Sequence, residues 1–119
     1  MINLPWYMDH KHQKGFTSHL YAIQYLTKRG YWVFDNISKQ GPCDLIAIDE
    51  TGKMLLVDVK STSKRKTGTH AGYYIKRSPT PLQKKLGIQI LMVSDDGSCT
   101  LEKPQKLATK EIIIADYVI

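Results

Sequence analysis

The residues with chemical potential in this chain are two aspartates and a lysine set in a short hairpin. Asp44 opens the apolar run Leu45-Ile46-Ala47-Ile48, a turn follows at Asp49-Glu50-Thr51-Gly52-Lys53, and Met54-Leu55-Leu56-Val57 runs into Asp58-Val59-Lys60. A carboxylate among Leu, Ile and Val is costly unless it is paired or holds a cation. Side chains alternate along a strand, so Asp58 and Lys60 share one face and Val57 and Val59 the other. If the loop is the three residues Glu50-Thr51-Gly52, with the glycine left-handed, Asp49 faces Lys53 and Asp44 falls opposite Asp58. Their Cβ atoms then lie roughly 5 Å apart. A two-residue Thr51-Gly52 loop moves the register by one and sends the aspartates to opposite faces.

Two carboxylates at that spacing repel unless a cation lies between them. Oxygen-only ligation suits Mg²⁺ or Mn²⁺. Lys60 projects toward the same place, where an ammonium orients an attacking water or offsets charge on a phosphate. The alternative is a surface hairpin carrying three solvated charges.

The charge balance points the same way. The 119 residues carry a formal net charge of +6 and a pI of about 9.3. Lys64, Arg65 and Lys66 follow the Asp58-Val59-Lys60-Ser61 strand directly, then come Lys76 and Arg77, then Lys84 and Lys85. Basic residues beside a cation-binding acid pair fit a phosphodiester: the acids hold the cation at the scissile phosphate and the lysines neutralise its neighbours.

In order along the chain, these pieces resemble the core motif of PD-(D/E)XK nucleases, in particular the small archaeal-type Holliday junction resolvases and their phage relatives. The matching pieces are Lys14-Gly15, the segment Phe16 to Arg29, Gly30-Tyr31, Val33-Phe34, Asp44 after Pro42, and Asp58-Val59-Lys60-Ser61, within residues 11–94. The resemblance implies an α/β, restriction-endonuclease-like core, a mixed β-sheet flanked by helices. It implies a metal-dependent DNA endonuclease in which Asp44, Asp58 and the Val59 carbonyl bind Mg²⁺ or Mn²⁺ and Lys60 assists the attacking water. The family places a glutamate where this chain has His19, so His19 is the candidate for that role. The implied substrate is branched DNA, above all a four-way junction, cut by paired nicks from a homodimer. Ser38, Lys39 and Gln83 join the DNA-contact candidates on the same ground, with Lys14, Ser61, Lys64, Arg65, Lys66, Lys76 and Arg77. The alternatives are a linear-DNA nuclease of the same fold, of restriction or homing type, a non-catalytic DNA-binding module with a degenerate site, and an RNA-cleaving enzyme.

The elements that must position these residues follow from periodicity. Residues 1–14 read as a basic N-terminal arm, with His10, Lys11, His12 and Lys14 as polyanion contacts, and 15–119 as one domain. A helix over 15–29 places Phe16, Leu20, Ile23 and Leu26 on one face, His19 at its edge, and Tyr21, Tyr25 and Lys28 opposite. Gly30 caps it. Strands are expected at 31–35, 43–48, 54–60 and 88–93, with a return at 99–102 after the turn Asp95-Asp96-Gly97-Ser98. The near-continuous apolar strands suggest a sheet covered on both faces. Residues 61–72, which include His70, form a polar loop. Tyr73-Tyr74-Ile75 reads as a short strand, and Pro81 opens a helix over 81–86. Ile112-Ile113-Ile114 completes the core or joins subunits. Cys43 and Cys99 stand apart with no C-x-x-C pair, so a reduced cytoplasmic setting is expected, in a bacterial, archaeal or phage-infected cell. No apolar run reaches the ~18 residues of a membrane span.

Overall fold

The computed structural model describes residues 10–62, 68–69, 71–72 and 77–105. Helix α1 (His10–Lys28) leads into strand β1 (Trp32–Asp35), then β2 (Leu45–Ile48) and β3 (Met54–Ser61). A short helix α2 (Pro81–Leu86) precedes β4 (Gln89–Val93) and β5 (Cys99–Leu101). The sheet order is β1-β2-β3-β4-β5, with β3 and β4 parallel and the other pairs antiparallel. This is the mixed α/β sheet expected from the strand pattern. The expected strand at 73–75 and the tail with Ile112, Ile113 and Ile114 lie outside the described residues.

The loop after β2 decides the register, and it is the three-residue form. Asp49 N–H donates to the Lys53 carbonyl at 3.0 Å, Gly52 N–H to the Asp49 carbonyl at 3.0 Å, and Gly52 sits at φ 88°. That left-handed backbone suits glycine. Asp49 Oδ1 fastens the turn by accepting Thr51 N–H, Lys53 N–H and the Thr51 hydroxyl. Leu45 therefore pairs with Val57 and Ile48 with Met54; Asp44 lies just outside this ladder, its N–H on the Val57 carbonyl and its carboxyl beside that of Asp58.

Leu45, Ala47, Leu55, Val57, Leu91 and Val93 form the core with Ala22 and Leu26 of α1. Of the helix face read from the sequence, Leu26 and Ile23 do meet the core, whereas Phe16 and Leu20 do not. Ala22, Leu26 and the hydroxyl residue Ser18 are buried, and Tyr21 and Tyr25 pack on the core, while Phe16 is 63% exposed and Leu20 is also exposed. Small side chains at 18 and 22 let the helix sit close to the sheet, and the tyrosines cover its flank with their rings. Tyr21 also lies against the β4–β5 turn, where a side chain at Gly97 would meet its ring at 2.6 Å. The helix begins at His10, inside the stretch read as an arm, and carries Gly15 in its interior.

The second face of the sheet is only partly covered. Helix α2 and Ile88 lie over the β3–β4 half, where Ile90 is buried. Over β1 and the start of β3, Trp32, Phe34 and Met54 remain exposed among the described residues. Among the described residues the cover on this face is α2, whose six residues are too short to span five strands, about 24 Å at ~4.8 Å each. No described helix is long and apolar enough to cross a membrane.

Candidate active site

The site forms where β2 stops one residue short of β3's acidic position. Alternation puts Asp58 and Lys60 on the face that carries α2, opposite Val57 and the α1 core. Asp44 precedes β2, with its N–H donating to the Val57 carbonyl at 2.9 Å and its carbonyl accepting Asn36 N–H at 3.1 Å. Its side chain closes the gap beyond the strand: Oδ2 accepts the Val59 N–H at 2.8 Å. The Val59 carbonyl shares that edge direction by strand geometry, so it faces the same gap.

Asp58 is buried, flanked by its sheet partner Ile90. Its Oδ2 has no hydrogen-bond partner among the described residues, and Lys60 Nζ stands 3.4 Å from it. Burial pushes the Asp58 carboxyl up to about 6, and hydrogen bonding of the protonated form to Asp44 adds to this, while Lys60 opposes it. The two carboxylates and one ammonium leave an excess negative charge at a place poor in water. A buried carboxylate oxygen without a donor, beside a second carboxylate and a backbone carbonyl, is an oxygen-only donor set suited to a hard divalent cation. Among the described residues, no group of three or more His, Cys, Asp and Glu is placed to hold a metal; the oxygens gathered at this gap are those of Asp44, Asp58 and the Val59 carbonyl.

Gln83 comes to the site from α2. Its Nε2 donates to the Pro42 carbonyl at 2.8 Å, and its Oε1 accepts Thr80 N–H at 3.0 Å in a capping box closed by the Thr80 hydroxyl. The same amide approaches Asp58 and lowers its proton affinity, the weakest of the influences on that group. One side chain thus caps the helix, ties it to the loop before Asp44 and touches the acid.

The remaining candidates divide. His19 stays on the α1 layer, with Nε2 2.9 Å from Asp35 Oδ1 at the end of β1. Ser61 also faces α1, its hydroxyl 2.6 Å from that of the buried Ser18. Lys14 Nζ donates to the Thr62 carbonyl at 2.8 Å and lies 3.4 Å from Asp95. Ser38 and Lys39 sit on the β1–β2 loop, Lys39 with left-handed φ 60° and its ammonium 3.9 Å from Asp35. The buried Arg77 Nε has no hydrogen-bond partner among the described residues. Lys64, Arg65, Lys66, His70 and Lys76 lie outside the described residues. Cys43 donates its thiol to the Leu45 carbonyl at 3.0 Å, and burial raises its pKa, as expected for a structural thiol.

Sequence reasoning missed Asp35, Asn36 and a cavity of about 420 Å³ beside Asp44, lined also by Phe34, Ile37, Pro42, Cys43 and Ile46. The only sequence sign was a polar Asn36-Ile37-Ser38-Lys39 loop, in which an isoleucine is the odd residue.

The fold matches that of a bacterial homing endonuclease, I-Ssp6803I, with a TM-score of 0.60 at 20% sequence identity, over 79% of this chain and 69% of that one. At that identity the match shows the fold alone, a mixed α/β sheet with flanking helices. No protein-family model matches the chain, and no curated protein sequence matches it.

Proposed function

We propose that the protein is a metal-dependent DNA endonuclease that cuts branched DNA, a four-way junction above all, by paired nicks. The observation that carries the hydrolytic part is the buried, unpartnered Asp58 Oδ2 facing Asp44 across the hairpin with Lys60 beside it. Asp44, Asp58 and the Val59 carbonyl would hold Mg²⁺ or Mn²⁺, which when bound supplies Lewis-acid polarisation of the phosphoryl oxygens and the attacking water. Asp44 is kept in place by the Val59 N–H. Lys60 orients the water toward phosphorus and offsets charge on the phosphoryl oxygens. Gln83 keeps α2 against the acid and limits access of bulk water. Lys39, Ser38, Arg77 and the basic residues Lys64, Arg65, Lys66 and Lys76 neutralise or contact the flanking phosphates, while Ser61 and Lys14 are engaged on the α1 side, with Ser18 and with Thr62 and Asp95. His19 acts at one remove, bracing Asp35 at the end of β1.

The preference for a branch rests on the sequence resemblance to Holliday junction resolvases. Two symmetric nicks require two sites, which a homodimer with twofold symmetry supplies. The apolar face carrying Trp32, Ile48 and Met54 supports such a pairing, since these residues share one register row and two of them are exposed.

A second reading, cleavage of linear duplex, is favoured by the homing endonuclease fold match. One assay separates the two. Labelled four-way junction and linear duplex of the same sequence are incubated with the full chain in Mg²⁺, Mn²⁺ or EDTA. Paired nicks near the branch, absent in EDTA and with Asp58→Asn, support the proposal. Equal cutting of the linear duplex supports the second reading. Binding that weakens with salt, with no nick in either ion, removes the enzyme.

A further inference from the structure

The cavity beside Asp44 is not lined by Asp58 or Val59, yet Asp44 forms one of its walls. Whatever fills it therefore lies next to the phosphate being cut. Its walls are mostly apolar: Phe34, Ile37, Pro42, Cys43 and Ile46. No basic side chain lines it, so it does not suit a phosphate. Its charged lining residues are Asp35 and Asp44, which repel anions. About 420 Å³ falls within the roughly 300–1,000 Å³ of sites that take a flat organic group.

The loop over the cavity is pre-organised. Asn36 Nδ2 donates to the Gln40 carbonyl at 2.6 Å and the Cys43 carbonyl at 3.0 Å, and Ser38 Oγ donates to Asn36 Oδ1 at 2.8 Å. These bonds hold Lys39 at φ 60°, a left-handed conformation that L side chains rarely adopt. They also hold Ile37 out with 91% of its surface exposed, beside the half-exposed ring of Phe34. An apolar side chain held out on a rigid loop, next to an aromatic face and an open cavity, can wedge between stacked bases and let one of them enter the cavity. Lys39 on the same loop is placed for the adjoining phosphate.

We infer that the cavity walled by Phe34, Ile37 and Asp44 binds one unstacked nucleobase adjacent to the scissile phosphate. This rests on the nuclease reading of Asp44 and Asp58 and gives it a physical basis for branch preference. A base within a duplex must leave its stack and its pair to enter, whereas a base at a branch is already partly unstacked. The amide of Gln40, also on the cavity wall, offers a donor and an acceptor to the base edge.

The test uses the full chain in EDTA and a four-way junction carrying 2-aminopurine at one position near the branch at a time. At one position and its symmetry mate, saturating protein raises the fluorescence several-fold, and a linear duplex with the same label shows no rise. Phe34→Ala and Ile37→Ser remove most of the rise and weaken junction binding roughly five- to a hundredfold, while Phe34→Tyr restores both. Tight junction binding with no rise at any position overturns the inference. So does a rise that survives Phe34→Ala while sedimentation shows this variant converted from dimer to monomer, which would make the patch a self-association surface. Because the signal is read without divalent ion, the two ideas separate. Nicking by the wild type with no rise anywhere removes the base site alone, and a rise with no nicking in Mg²⁺ or Mn²⁺ removes the hydrolase alone.

Discussion

The N–H of Val59 reaches across the hairpin to Oδ2 of Asp44 at 2.8 Å. Strand β2 has ended at that level, so a side-chain oxygen takes the place of the strand carbonyl that would otherwise receive this N–H. The bond fixes one acid by the residue next to the other. It satisfies a backbone donor and aims a carboxylate into the gap in one step, and it leaves Asp58 Oδ2 as the oxygen without a donor.

That unpartnered oxygen has a consequence for stability. Asp58 titrates near 6 in the fold against about 3.8 when unfolded, so the folded state binds the extra proton between these values. Stability from this group is therefore full below about pH 4 and is lost as pH rises through 6. Without divalent ion, Asp58→Asn should melt higher than the wild type at pH 7.5, by an amount on the order of 1–3 kcal/mol, with the difference closing at pH 4. Mn²⁺ should raise the wild-type melting temperature at pH 7.5 and leave that of Asp58→Asn unchanged. Thermal unfolding at the two pH values, with and without Mn²⁺, checks both.

Lys60 favours the ionised form of Asp58 from 3.4 Å away. Replacing it with Met removes that influence, so the pH needed for half-maximal Mn²⁺ binding should move upward. Nicking should fall by about a hundred- to ten-thousandfold, the usual loss when a group aiding proton transfer or charge stabilisation is removed, with junction binding largely kept. Calorimetric titration of Mn²⁺ across pH, beside a nicking assay, measures the two effects. Unchanged nicking would remove Lys60 from the chemistry.

His19 and Asp35 form a partly exposed pair joining α1 to the end of β1. His19→Ala should cost about 0.5–1 kcal/mol of stability, the range for such pairs. Asn36 N–H, next in the chain, bonds the Asp44 carbonyl, so a small loosening reaches the site, and nicking should drop less than tenfold. A loss matching that of Asp58→Asn would instead give the histidine a direct role in hydrolysis.

Why some of this was readable in the sequence and some was not follows from the range of the interactions. The facing of Asp44 and Asp58 depends on one local choice, the loop length, and Gly52 with Asp49 favours the three-residue form through contacts within five residues. The strand order follows from the same local patterns. Part of the α1 face was misread because periodicity treats every apolar residue alike. Phe16 and Leu20 sit on the solvent side, while Ser18 and Ala22 take the sheet side because their small size allows close approach. The hydrogen bond from Gln83 to the Pro42 carbonyl spans 41 residues, and the exposure of Trp32 and Phe34 depends on how far α2 reaches. Neither leaves a mark in local spacing.

Gln83 gives the sharpest test of how the second helix serves the site. Its amide makes three contacts at once: the Thr80 N–H, the Pro42 carbonyl and the neighbourhood of Asp58. Gln83→Leu keeps the bulk but leaves the Thr80 donor and the Pro42 acceptor without their partner. It should destabilise the fold by roughly 1–2 kcal/mol, since Thr80 is exposed and Pro42 half-buried, so water can take up part of what the amide gave. Gln83→Glu keeps an oxygen for Thr80 N–H but removes the donor to Pro42 and sets a third carboxylate near Asp58. Two opposing outcomes then follow for the Glu variant. Without divalent ion it should be less stable than the wild type at pH 7.5, and lowering the pH to 5 should recover some of the loss as a carboxyl takes up a proton. With Mn²⁺ the recovery should occur at pH 7.5 itself, because the added charge strengthens attraction for the cation. Denaturant unfolding of both variants, at pH 5 and 7.5 and with or without Mn²⁺, reads all of this. A Leu variant as stable as the wild type would show that α2 is held over the site by other contacts.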